Sequence, residues 1–129
     1  MRLRDLEATF LTYEPCLACV AHEKPSVHHR YVPTLAEAHG VMFLCPACYK
    51  KNAGPAGTHS IVCWFVGKVP DSAFPRPGRW IPKGTGLDDL TFVTGPGCSS
   101  PSVSLDTEEA RKYPGVCRWH GHVSGGSAD

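Results

Sequence analysis

The sequence predicts a mainly-β fold with one or two short helices, gathered into one small domain. Three observations lead there. The 129 residues include 13 Gly and 12 Pro, which punctuate the chain too often for long helices. The apolar runs between them, VMFLC (41–45), SIVCWFV (60–66) and LTFVT (90–94), are short and rich in β-branched and aromatic side chains, as strands are. The length suits a single modest core spanning residues 1–129.

The elements follow in order from residue 34. Thr34 and Glu37 have capping-box spacing, which starts a turn or two from Leu35 to His39 that Gly40 stops. VMFLC then runs as a buried strand into Cys45, and KKNAGPAGT (50–58) reads as a loop. SIVCWFV returns as a central strand paired with VMFLC, giving a hairpin tipped by Cys45 and Cys48. Residues 67–89 carry Pro70, Pro75, Pro77, Pro82, Gly78, Gly84 and Gly86 and read as a surface loop anchored by Trp80, with a short regular piece at Arg79–Ile81. LTFVT and PSVSL (101–105) are strands joined by GPGCSS (95–100). Asp106 and Glu109 repeat the capping-box spacing for a helix over DTEEARKY (106–113), halted by Pro114 and Gly115. VCRWHGHV (116–123) alternates as a final strand, and SGGSAD (124–129) reads as a disordered tail.

The chemistry sits in the cysteines. Cys45 and Cys48 in CPAC have the spacing at which one tight turn presents two thiolates to a tetrahedral ion, and Cys117 with His120 in CRWH is a usual zinc half-site. Cys45, Cys48, Cys117 and His120 are therefore the expected ligands of one structural Zn2+, with His59, Cys98 and His122 as alternatives for the fourth. Regular alternation in 116–123 sets Cys117 and His120 on opposite faces, so joint ligation needs a bulge or turn between them. Near the front, Cys16, Cys19, His22, His28 and His29 lie close enough in sequence for a second zinc to close locally, most simply through Cys16, Cys19, His22 and His29. Residues 12–30 read as a Cys/His-rich insertion. Cys63, mid-strand in IVCWF, is expected to pack in the core.

Composition excludes several function classes. The net charge is +1 with basic residues scattered, so the footprint of a nucleic-acid binder is missing. No apolar run approaches the roughly 20 residues of a membrane-spanning helix. Seven cysteines are an odd number, MRLRDLEATF has no apolar signal core, and two pairs have metal spacing, which together favour a reducing cytoplasm over a disulfide framework. Asp88 and Asp89 read as a solvated turn. Trp64, Trp80 and Trp119 read as core and rim aromatics.

The segments FLCPAC, GTHSIVCWF, RW at 79–80, GLDDLTF, SPSV at 100–103 and CRWHGHV at 117–123 resemble a family of small zinc-binding domains encoded by phages and prophages. More distantly they are similar to the candidate deconjugating peptidases of bacterial ubiquitin-like conjugation operons. The resemblance spans roughly residues 31–126. It implies Cys45, Cys48, Cys117 and His120 as motif residues, a motif serine at Ser100 or Ser102, a bacterial host cytoplasm, and a protein or peptide partner such as a ubiquitin-like protein. The 16–29 segment and the 106–113 helix depart from the family pattern.

Three functions follow from different classes. One is an accessory or protein-interaction module in which zinc is structural. Another is a serine-type peptidase with structural zinc, in which Ser102 attacks a carbonyl and His59 or His120 takes its proton; a histidine that holds zinc cannot also serve as that base. The third is a zinc-dependent hydrolase with one coordination position left for water, against which the cysteine-rich ligand set and the absence of an HExxH motif both count.

Overall fold

The computed structural model describes the backbone of residues 1–15 and 27–129, and it bears out the mainly-β, small single-domain expectation. Four antiparallel strands form the central sheet: β1 (Thr9–Pro15), β2 (Val27–Val32), β3 (Gly40–Leu44) and β4 (Ser60–Trp64), in the order β2-β1-β3-β4. The β3–β4 hairpin was expected from VMFLC and SIVCWFV. Its register pairs Gly40 with Trp64 and Leu44 with Ser60. Gly40, expected as a helix stop, instead begins β3, and a Cβ there would meet the Cys63 carbonyl and the Trp64 ring at 2.7 Å.

Both faces of the sheet are covered. On one face Phe10, Val41, Phe43, Ile61 and Cys63 pack with Leu3, Leu6, Phe65, Leu90, Phe92, Val103, Val123 and Ala128. On the other, Leu11, Trp64 and Ala73 form a satellite cluster with Tyr13, Met42, Val62 and Val69. Residues buried on both faces explain why β1 reads TFLTYEP without clean alternation.

Short pairs surround the sheet. β5 (Ile81–Lys83) pairs with β6 (Thr91–Val93), β7 (Val103–Ser104) with β8 (His120–Gly121), and β9 (Val123–Ser124) with β10 (Ser127–Ala128). The last pair corrects the expected tail. Gly125 and Gly126 at φ 55 and 78 make the tight hairpin turn that only glycine adopts readily, Ala128 is fully buried, and its carbonyl accepts from the Met1 amine at 3.0 Å. A Gly-Gly pair that resembles linker composition is here a turn. At the front, residues 12–15 and 27–30 of the expected insertion lie in β1 and β2, while Cys16, Cys19 and His22 lie outside the described residues.

Among the described residues there are two α-helices. α1 (Pro46–Asn52) begins within CPAC and runs into the first residues of the expected 50–58 loop; Pro46 occupies its first turn, Lys50 and Lys51 its last, and Ala53 closes it at φ 55. Proline at the start and cations at the end suit a helix's missing donors and its dipole. α2 (Glu108–Arg111) lies inside the expected 106–113 helix. Its cap is Thr107, whose hydroxyl accepts from the Ala110 amide at 3.0 Å, whereas Asp106 pairs with Arg111. Thr34 and Glu37 hydrogen-bond side chain to side chain at 2.8 Å across a single 3₁₀ turn, Leu35–Glu37.

The 67–89 loop is held by Arg79, whose guanidinium donates to the carbonyls of Pro70, Ala73, Pro75 and Gly78. Asp89 accepts from the Thr85 and Gly86 amides and Asp88 pairs with Arg4, as expected of turn carboxylates. Among the described residues no helix is long and apolar enough to cross a membrane.

Candidate metal centre

Three separate pieces of chain meet at the Leu44–Ser60 end of the sheet. Cys45 leaves β3 and caps α1, its carbonyl accepting from the Tyr49 amide at 2.9 Å. Cys48 lies within the first turn of α1, so the helix, rather than a loop, sets the separation of the two thiols. Cys45 also donates its amide to the His59 carbonyl at 2.9 Å, which extends the β3–β4 ladder by one pair and puts His59 directly across from Cys45. Cys117 arrives from the other side of the chain, in the segment between α2 and β8. The Leu105 amide bonded to the Trp119 carbonyl at 2.8 Å holds that segment, as does the edge-on packing of Trp119 against Phe43.

The ligand atoms of Cys45, Cys48, His59 and Cys117 all lie within 4.8 Å of one another. A tetrahedral ion with thiolate bonds of ~2.3 Å sets its ligand atoms about 3.8 Å apart. The Cys45 and Cys117 sulfurs are 3.7 Å apart, a distance far too long for a disulfide at about 2.05 Å. The donor set and its spacing fit one metal ion, which Cys45, Cys48, Cys117 and His59 would hold.

Without a cation these thiols oppose one another. Burial pushes Cys48 up to about 12, helped by its hydrogen bonding with Cys117 and the proximity of Cys45. Burial also raises Cys45. Cys117 is drawn down to about 7: burial works against its ionisation, but hydrogen bonds from His59, the Trp119 amide and the other two thiols outweigh it. Burial and mutual proximity thus work against ionising Cys45 and Cys48 together with Cys117, a cost that a bound cation would offset.

The fourth position departs from the first-choice expectation. His120 stands on β8 opposite Ser104, exposed to solvent, with its ring 6.1 Å from that of His122. His120 is not among the side chains whose ligand atoms converge with those of Cys45, Cys48 and Cys117. His59, the alternative, takes the place. Its signal was the constant residue sum of an antiparallel ladder: once Leu44 faces Ser60, Cys45 must face His59. Cys98 is buried elsewhere, its thiol 3.3 Å from the Ser100 carbonyl, and Cys63 is fully buried in β4. Of the second metal group, His29 is described; it lies on β2 with its ring 5.4 Å from Trp64.

The expected catalytic pair is not joined. The Ser102 hydroxyl lies 3.0 Å from that of Ser100, and the Ser102 carbonyl accepts from Trp80 Nε1 at 3.1 Å. His59 is with the cysteines. No protein-family model matches the chain, and no curated protein or solved structure matches it.

Proposed function

We propose that this chain is a zinc-stapled, non-catalytic binding domain, in which Cys45, Cys48, Cys117 and His59 close a tetrahedral shell around Zn2+. The observation that carries this reading is the meeting of four protein ligand atoms within 4.8 Å. Three thiolates and an imidazole fill a zinc ion's usual four positions, and such cysteine-rich shells support folding rather than bind a reactive water. Zinc is the favoured ion because soft thiolates with one imidazole in a tetrahedral arrangement suit it. The shell ties the end of the β3–β4 hairpin to the segment leading into β8, joining Cys45 to Cys117, 72 residues apart in sequence. The free thiols of Cys45, Cys48, Cys63, Cys98 and Cys117 suit a reducing compartment.

The peptidase reading takes second place. In its favour, Ser102 lies on an open groove. Against it, His59 as a zinc ligand cannot also accept the proton of Ser102, and the hydroxyl's partner is another serine. The test is substitution with metal readout: Ser102→Ala keeps zinc and fold under both readings, whereas Cys117→Ser releases zinc under both. Any hydrolytic turnover that Ser102→Ala abolishes would overturn the non-catalytic assignment.

A further inference from the structure

The outer edge of β4 is open over half its length. The amide of Cys45 bonds the carbonyl of His59, and the Phe65 amide bonds that of His39, so odd-numbered residues 59–65 hydrogen-bond inward to β3. The N–H and C=O of Ser60 and Val62 therefore point outward. Among the described residues no backbone or side-chain group beyond the sheet bonds to them. On the far side of a groove stands β7. There the Leu105 amide bonds inward to Trp119, so Ser104 turns its own N–H and C=O outward, toward β4, and these too are unpaired among the described residues. The groove holds about 500 Å³ between Ser60–Val62 and Ser102–Leu105.

The protein already fills one end of this slot with its own backbone. Trp80 donates its amide to the Trp64 carbonyl at 3.0 Å and accepts from the Val66 amide at 2.9 Å, forming a bridge to Phe65. Its indole N–H crosses to the Ser102 carbonyl. Trp80 thus takes a strand position along the outer edge of β4 and reaches β7 through its side chain, and the same edge runs on, unpaired among the described residues, at Ser60 and Val62.

We infer that an extended peptide segment of a partner protein, with apolar side chains, docks in this slot as an added strand between β4 and β7. Unpaired donors and acceptors on two facing edges match an extended backbone and little else. A strand within a sheet takes about 160 Å³ per residue, from spacings of ~4.8 and ~10 Å and a rise of ~3.3 Å, so the groove admits about three residues. Val62, Pro75, Trp80, Val103 and Leu105 line it and favour apolar side chains. Ser60–Val62 line one side of the slot and Ser102–Leu105 the other, an arrangement that suits one inserted strand rather than the edge of a whole sheet in a second copy. This inference goes beyond the zinc reading and does not require it.

The experiment is an amide chemical-shift titration of the full chain, its zinc content first fixed by native mass spectrometry so that a lost metal and a wrong groove read out separately. The probe is a capped Val-Thr-Val-Thr-Val peptide at up to about 1 mM, the weak end of measurable affinity. The expected result is saturable shifts at Ser60, Val62 and Ser104, lost when alternate peptide amides are N-methylated. Val62→Pro removes one outward donor while leaving the inner ladder, as proline on an edge strand does, and is expected to weaken binding at least about tenfold. No shift at these amides, or shifts indifferent to N-methylation, would overturn the inference. Shifts that appear on concentrating the protein alone would assign the edge to a second copy and overturn it equally.

Discussion

At the scale of single residues, Cys63 and Cys117 mark two fates for the same side chain. Cys63 lies mid-strand, fully buried, and burial alone raises its thiol; it packs as a small hydrophobe. Cys63→Ser would put a hydroxyl there with no evident partner, a change expected to cost about 1–3 kcal/mol. Denaturant unfolding should register that loss while zinc content stays unchanged. Much of this was legible: CPAC spacing marked Cys45 and Cys48, and strand context marked Cys63. The fourth ligand was harder, because CxxH at 117–120 is a familiar half-site. The choice of His59 depends on ladder register, which spacing along the chain does not carry.

Elements show the same division. The β3–β4 hairpin and the 90–94 strand were readable from β-branched and aromatic runs. β1 and β2 were not, because cysteine and histidine spacing between them suggested an insertion. β10 was not, because Gly-Gly serves both as linker and as tight turn. At α2 the cap is one residue later than the capping-box spacing suggested, so Thr107→Ala is expected to cost up to about 1 kcal/mol, with exchange of the Ala110 amide accelerated. Asp106→Ala should instead remove only an exposed ion pair with Arg111, worth little in water. The 85–89 turn responds to pH. The Gly86 and Thr85 amides hold the Asp89 carboxyl below its ordinary value, so its contribution is present above the unfolded carboxylate range near 3.9 and is lost as pH falls through the lower folded value. Amide shifts of Thr85 and Gly86 should therefore titrate below about pH 4, and in Asp89→Asn that titration should vanish.

For the molecule as a whole, the proposed metal centre is a long-range clasp. An ion held there would join Cys45 to Cys117 across a stretch of chain that includes β4 to β7 and α2, and a small domain gains much from such closure. Removing zinc with a chelator is expected to cost several kcal/mol and to lower Tm by about 10 °C or more, with loss of the packing of Trp119 on Phe43. A chelator that leaves Tm unmoved would mean the four side chains converge without a resident ion. The most direct test of the central claim is zinc stoichiometry by native mass spectrometry on the wild-type chain, His59→Ala and His120→Ala. Losing a ligand should weaken zinc by more than about 100-fold, since disturbing even an outer partner of a ligand costs 10–100-fold. With His59 as the fourth ligand, His59→Ala is expected to carry one zinc fewer than wild type while His120→Ala carries the same number. Folded wild-type protein without zinc, or loss from His120→Ala with retention in His59→Ala, would contradict the central claim.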